Sequence, residues 1–429
     1  MFGPFNNIFR SLTLLAVFAF PVNFLAIKHG VHVSLYGLFI ISIIYWLSRS
    51  TQKFSYIKDF DVLAVVISLS SIFIATALTQ LLRQDIYWPS FDGPSRLALA
   101  GIVFIFLRTQ SISFLKLLEI AIPIGLVLTL IMIASFPETS AQWGRFATKF
   151  VDPNTLGSQS LILGIICLLM INKNHPLAKN VFMLIGSTAG IYLSIHAGSR
   201  GGWLALPFIL IAWSFIQVKE RLTFNLNNLL KLILVICIGV IALTLIFIAL
   251  SKLPMIATRI DAGYADIMNL LNGNFNTSIG TRIAMWIISF KYLVPLAGLS
   301  GLGETDVKNI IITLPIDPMQ FSEAIHHLSN TGPHSDFLAK LLSMGYIGGL
   351  AYVLTVLTPI LIFIKNIFNA NLQQRSASRI GLYYVIGIII CGLSNEMLSL
   401  KYLCSFYGLM IACLMAEALK SNSATQTKN

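Results

Sequence analysis

Charge is scarce in this chain. Asp, Glu, Lys and Arg make up 11% of its 429 residues, against about 25% in an average soluble domain, which excludes a water-soluble globule. Acids are the scarcer half, 17 against 29 basic residues, for a net charge of +12. Cysteine is rare too: Cys167, Cys237, Cys391, Cys404 and Cys413 all lie within or beside apolar segments, and none has CxxC spacing. They read as small core residues rather than as a disulfide framework or a thiolate metal site. No small-x-small cleavage site follows the first apolar run, Ser11 to Ile27, so that run is expected to stay as a first span. No internal repeat is visible, which removes the main support for an inverted-repeat transporter.

Long apolar runs are what the chain has instead. Hydrophobic residues are 56% of the sequence and mean hydropathy is +0.81. The expected fold is all-α: a polytopic membrane protein of about twelve transmembrane helices. The candidate spans run roughly 11–27, 31–47, 62–82, 95–108, 114–135, 156–171, 179–195, 201–218, 229–250, 335–364, 380–393 and 400–419. With a cytoplasmic N-terminus, one face receives sixteen basic residues. The short loops of the other receive seven: Lys28, Arg83, Arg96, Arg145, Lys149, Arg200 and Lys401. The positive-inside rule then puts both termini in the cytoplasm. In this setting the net charge reflects cytoplasmic loops and anionic phosphate partners, not nucleic acid.

The organisation expected is one integrated membrane domain: spans one to nine over 1–250, a large outer-face region over 251–334, and spans ten to twelve with a cytoplasmic tail over 335–429. Within the outer region, "IGTRIAMWIISFKYL" (279–293) places Ile283, Trp286, Ile287 and Phe290 on one helical face. That pattern suits a helix lying on the bilayer surface or capping the bundle.

The basic residues of the sparser face are the first candidates for function. Arg96 is expected to open span four, Arg200 opens span eight in "HAGSRGGWLAL", and Arg282 lies in the outer region. Snorkelling to phospholipid headgroups is one account of each. The other is a cluster that grips a phosphate-bearing lipid, a task suited to the planar, permanently charged guanidinium. At Arg200 the surrounding glycines let backbone approach a ligand, and a helix start would add its free N–H groups. Arg83 and Arg145 are lesser candidates for the same phosphate or for phosphates of a second substrate. In "KFVDPNTLGSQSLILG" (149–164), Asp152 and Asn154 flank Pro153 as a helix cap, and Asn154 has sugar or phosphate contact as its alternative role.

His334 lies in "TGPHSDFLAKLLSMGYIGG" (331–349), directly after Pro333 and before Asp336. It is expected in the first turn of span ten, where a positive helix end disfavours imidazolium. A neutral imidazole there is either an inert helix-start residue or a general base. His326 and His327 compete: Glu323 has helical spacing to each, but adjacent histidines diverge on a helix, so a metal site is poorly supported. The outer segments carry no paired carboxylates or DxD-like motif of the kind a metal-dependent glycosyltransferase needs. Glu304 and Asp306 are merely near each other.

Three pieces occur in order: "GSRGGWLAL" at the start of one span, "GTRIAMW" in a long outer region, and "HSDFLAKLLSMGYIGG" entering the next span. This ordered set resembles the O-antigen ligase family, within a superfamily that includes O-antigen polymerases and some protein O-oligosaccharyltransferases, and the resemblance covers most of the chain. It implies a glycosyltransferase of the Gram-negative inner membrane with a periplasmic active site. It moves O-antigen glycan from undecaprenyl pyrophosphate to a sugar hydroxyl of lipid A–core oligosaccharide, in lipopolysaccharide biosynthesis. The family uses no metal, nucleotide or other cofactor. By the resemblance His334 matches the essential histidine, and Arg200 and Arg282 match arginines of the family; attack at the anomeric carbon is expected to invert it. Two alternatives stay open, an O-antigen polymerase joining undecaprenyl-linked units and a lipid-linked oligosaccharide flippase.

Overall fold

The computed structural model describes residues 3–48, 59–137, 141–142, 144–221, 252, 254–303 and 307–420. Candidate span nine (229–250), Cys237, Glu304 and Asp306 lie outside the described residues. The chain is an all-helical polytopic membrane protein. In order come α1 (Gly3–Asn23), α2 (Gly30–Leu47), α3 (Phe60–Arg83), α4 (Asp92–Arg108), α5 (Phe114–Ser135), α6 (Pro153–Leu169), α7 (Leu177–Ala197), a single turn α8 (Arg200–Trp203) and α9 (Ala205–Arg221). Then follow α10 (Pro254–Leu271), α11 (Ser278–Ile288), α12 (Val294–Ala297), α13 (Val307–Ile311), α14 (Ser322–Asn330), α15 (Asp336–Asn366), α16 (Leu372–Gly392) and α17 (Lys401–Ala418). The one sheet among the described residues is a two-stranded hairpin, β1 (Ala141–Gln142) against β2 (Arg145–Phe146).

Nine helical segments among the described residues are long and apolar enough to cross a membrane. Of the other expected spans, Asn7–Asn23 and Pro153–Leu169 are apolar but shorter. Helix α16 begins with Gln373, Gln374, Arg375 and Arg379, which is why its apolar part read as only 380–393. The segment Ser278–Ala297, expected outside the spans, is itself one of the nine. There α11 passes through a π-helical turn, Ser289–Leu293, into α12. Ile283, Ile287 and Phe290 on the expected apolar face are exposed, while Ala284, Met285 and Ile288 pack inward. The element therefore buries its second face and leaves the first outward, as suits a lipid-facing surface.

The central helix is α17. Nearly every residue from Leu403 to Ala418 is buried, including Cys404 and Cys413. Helices α4, α16, α2 and α5 surround it, and α3 packs between α4 and α15. Small residues allow the closest approaches: a Cβ at Gly408 would stand 2.6 Å from that of Ala100, which is how α17 and α4 come so near. At one end of this bundle gather the 84–91 connection, the 144–152 segment after the hairpin turn, the α7–α8 turn, the described parts of the outer region (254–303 and 307–335) and the 393–400 turn. They are joined by contacts such as Arg83 to Ser343, Arg145 to Ala197, Arg282 to Ser394 and Lys401 to Asp92.

A candidate catalytic centre at one end of the bundle

His334 does not sit in the first turn of α15. The helix starts at Asp336 with Ser335 as N-cap, and His334 precedes it in the left-handed region, φ +49°. For a residue other than glycine this backbone costs about 1–3 kcal/mol. What holds it is a pair of reciprocal bonds to the 393–400 turn. The His334 N–H donates to Glu396 Oε1 at 3.2 Å, and the Leu398 N–H donates to Asp336 Oδ1 at 2.6 Å. Each such hydrogen bond contributes about 0.5–1.5 kcal/mol net, so the pair is of the size needed to offset the strain. Gly332 (φ +88°) belongs to the same device, because a Cβ there would lie 2.3 Å from Glu396 Oε1.

The imidazole of His334 meets His327, from α14. His334 Nε2 is 3.2 Å from His327 Nδ1, which is in turn 2.9 Å from Thr331 Oγ1. The rings meet edge to face with centroids 4.9 Å apart. Burial pushes the His334 pKa down to about 4, helped by the neighbouring His327 and Arg282 and opposed by Asp152. The ring is therefore neutral at pH 7, and the main reason is desolvation rather than the helix dipole. Burial lowers His327 as well, with His326 and Arg282 adding to it and Glu323 opposing. Glu323 and the two adjacent histidines form no set of three metal-ligating side chains, nor does any other group among the described residues.

Four arginines lie within one another's field, and one of them, Arg282, also acts on His334. Arg282 of α11 donates from Nε to the Ser394 carbonyl at 3.1 Å and from Nη1 to Ser278. Arg200 pairs through Nη2 with Asp266 of α10 at 2.9 Å, while its buried Nη1 has no hydrogen-bond partner among the described residues. Arg145 of β2 donates to the Ala197 carbonyl at 2.6 Å and to Asn154 Oδ1 at 2.8 Å. Asn154 thus braces an arginine, and Asp152 caps α6 through Asn154 N and Thr155 N, as expected. Arg259 of α10 lies over Gly198, where a Cβ would fall 2.9 Å from its Nε; Gly198 itself has φ +60°. Burial lowers the Arg145 pKa to about 10, and repulsion from Arg259, Arg200 and Arg282 adds to this against Asp152. Cations are thus packed together with few acids, the electrostatic signature of an anion site.

Arg200 opens only the four-residue turn α8, interrupted at Leu204 before α9. Its attraction for an anion comes from the guanidinium, not from the start of a long helix. Gly201 matters for another reason: a Cβ there would lie 2.4 Å from Ser394 Oγ. The 394–396 turn therefore touches the Arg200 turn, accepts from Arg282 and holds His334.

Two sequence candidates stand apart. Arg96 lies in the second turn of α4, buried, with Nε and Nη2 on Asp92 Oδ1 and Nη1 2.6 Å from His32 Nδ1. Asp92 is shared with Lys401. Arg83 donates to the Ser300 and Ser343 carbonyls, bracing α15 next to its kink at Gly345. Neither is brought to His334. Arg259, Asp266, Glu396 and the partnership of His327 with His334 escaped the sequence reading. For Arg259 the signal was present, a basic residue in the same region that holds Arg282. For the others only the fold makes the connection.

An apolar cavity of about 280 Å³ lies alongside, lined by Trp286, Phe290, Phe337, Tyr352 and residues of α16, with Ser335 at its edge. Trp286 follows Arg282 by one helical turn on α11.

Comparison with known proteins gives two findings. Residues 181–353 match the model of the O-antigen ligase family, Wzy_C, a stretch holding Arg200, Arg259, Arg282, His327 and His334. An uncharacterized protein of Haemophilus influenzae is 28% identical over 269 residues, 62% of this chain and 61% of its own length. The chain thus spans under two thirds of that relative.

Proposed function

We propose that this polytopic membrane protein, whose residues 181–353 match the O-antigen ligase family model, is a glycosyltransferase of the ligase or polymerase type acting on lipid-linked glycans, and specifically an O-antigen ligase. It transfers O-antigen glycan from undecaprenyl pyrophosphate to a sugar hydroxyl of lipid A–core oligosaccharide. The site end of the bundle faces the periplasm of a Gram-negative inner membrane, and both termini face the cytoplasm. The observation that carries this reading is the cluster of Arg145, Arg200, Arg259 and Arg282, joined through Arg282 to a neutral His334. Arg200 Nη1, buried and without a hydrogen-bond partner among the described residues, leaves one donor of the cluster unsatisfied. The apolar cavity beside Arg282 offers a place for the first prenyl units of the donor.

The chemistry follows from this arrangement. The leaving group is a lipid pyrophosphate, whose charge grows as the anomeric C–O bond breaks. Preorganised guanidinium groups stabilise that charge, and loss of one such donor typically costs about 10²–10³ in rate. His334 takes the proton of the acceptor hydroxyl as that oxygen attacks the anomeric carbon from the opposite side, inverting it. When His327 Nδ1 accepts from His334 Nε2–H, the lone pair of His334 is fixed on Nδ1, the atom left to take the acceptor's proton. His327 is thus the positioning partner of the base. Donor binding brings negative charge beside Arg282, countering one of the fields that lower the His334 pKa and strengthening the base when it is needed.

Purified full-length protein, given undecaprenyl-pyrophosphate glycan and rough lipopolysaccharide, should join the two. Activity only between two undecaprenyl-linked units would make it a polymerase. In a deletion strain, loss of every lipopolysaccharide ladder band with accumulated lipid-linked polymer supports the ligase, and a single-repeat band the polymerase.

A further inference from the structure

A second cavity, of about 390 Å³, is lined in part by residues 331–333. Gly332, Pro333 and Glu396, which shape the His334 turn, form part of its wall, and none of the four arginines lines it. Its described lining carries three lysines, Lys308, Lys340 and Lys401, against one carboxylate, Glu396. Lys401 is already tied to Asp92 at 2.6 Å. Lys308 and Lys340 make no ion pair with any described residue. Lys340 is half-buried on the second turn of α15, four residues after Asp336. Arg83 adds charge at the edge: its Nε is buried without a hydrogen-bond partner among the described residues, and a Cβ at Gly303, another lining residue, would lie 3.8 Å from it.

Lys340 interacts with the Asp336 carboxyl one turn earlier, yet the cavity's described lining carries more positive than negative charge, which favours an anionic ligand. The cavity is large enough for a sugar phosphate and too small for a long glycan. We propose that it is an acceptor subsite, in which Lys340, with Lys308 and Lys401 at the rim, binds a phosphomonoester carried by the acceptor. This rests on the reading of the chain as a two-substrate transferase. Lysines suit the task, since mobile point charges adapt to a phosphomonoester, whereas planar guanidinium forks fit a fixed pyrophosphate. Two separate cation sets also keep two anionic substrates from competing for one site. The His334 turn borders this cavity, so the subsite would bring the acceptor hydroxyl to the base and leave the arginines to the donor.

The test uses full-length protein in zwitterionic nanodiscs with two acceptors, rough lipopolysaccharide and the same material after phosphatase treatment. The wild-type KM should be about tenfold lower for the phosphorylated acceptor. In Lys340→Gln that ratio should fall to about one, with the Lys308→Gln variant in between. A wild-type KM indifferent to acceptor phosphate overturns the subsite while leaving the transferase reading intact. A parallel arm measures binding of glucosamine 1-phosphate to the same protein by thermal shift. Binding that Lys340→Gln abolishes, with no transfer to any acceptor, overturns the transferase and leaves an anion site. A third arm adds phosphatidylglycerol to the nanodiscs. If it removes the preference for phosphorylated acceptor, the site takes a lipid headgroup and the acceptor assignment falls.

Discussion

Glu396 Oε1 accepts the backbone N–H of His334 at 3.2 Å, across 62 positions of sequence. A second bond over the same separation, Leu398 N–H to Asp336 Oδ1, returns from the other side. Together they hold a left-handed backbone at the residue we assign as base, and they do so from a turn that also contacts Arg282 and Gly201. The position of the base relative to the arginines is therefore set by the α16–α17 connection.

Glu396→Ala should release His334 from this geometry and lower kcat by about 10²-fold, the scale expected when a reacting group is misplaced by about 1 Å. Glu396→Gln keeps a carbonyl oxygen to accept the same N–H and should retain most of the rate. Single-turnover transfer rates compare the two; equal losses would mean that the negative charge of Glu396, not its acceptor position, is what matters.

Arg259→Ala should raise the donor KM by about tenfold or more, comparably to Arg200→Ala, because both face the same anion. Arg200→Lys should recover little, since lysine cannot reproduce a hydrogen bond to Asp266 together with a second phosphate contact. Steady-state kinetics with varied donor decide this, and an unchanged donor KM in Arg259→Ala would remove that residue from the site.

These positions show how far the sequence could be read. His334, Arg200 and Arg282 lie in local motifs whose order is visible without a structure. The apolar spans are equally legible, because a bilayer demands long apolar helices. Arg259 carries only a weak signal, a basic residue in the region that also holds Arg282 but in no motif, and Glu396 carries none, because its importance exists only through a contact 62 residues away. His327 read as a weak metal candidate until α14 placed it against His334. The 278–297 segment misled for a different reason: both its faces are apolar, so periodicity could not show which one is buried.

The pH dependence follows from the depressed His334 pKa. The native imidazole takes up a proton only near pH 4, whereas an unfolded histidine does so near 6.5. The stability contributed by its neutral state is complete above pH 6.5 and is lost as pH falls from there toward 4. In activity, the acid limb of kcat/KM for the donor should lie near pH 4. The limb of kcat should lie higher, because bound pyrophosphate raises the pKa of the base. A kcat limb at or below that of kcat/KM would contradict this coupling.

His327→Ala removes both a hydrogen-bond partner of His334 and one of the causes of its low pKa. It should lower kcat by about tenfold and move the acid limb upward. A loss of rate with an unmoved limb would reduce His327 to a packing role. The profile should be read against Glu323, His326, Arg282, Glu396 and Asp152, the other charged or titratable groups around the pair.

The most direct measurement is glycan transfer by the purified protein from undecaprenyl-pyrophosphate-linked O-antigen to rough lipopolysaccharide, in the presence of a chelator. Wild type should form ladder bands, and His334→Ala, folded to the same thermal stability at pH 7, should form them about 10²–10⁴-fold more slowly, the usual range for loss of a general base. Transfer by His334→Ala at the wild-type rate would contradict the account.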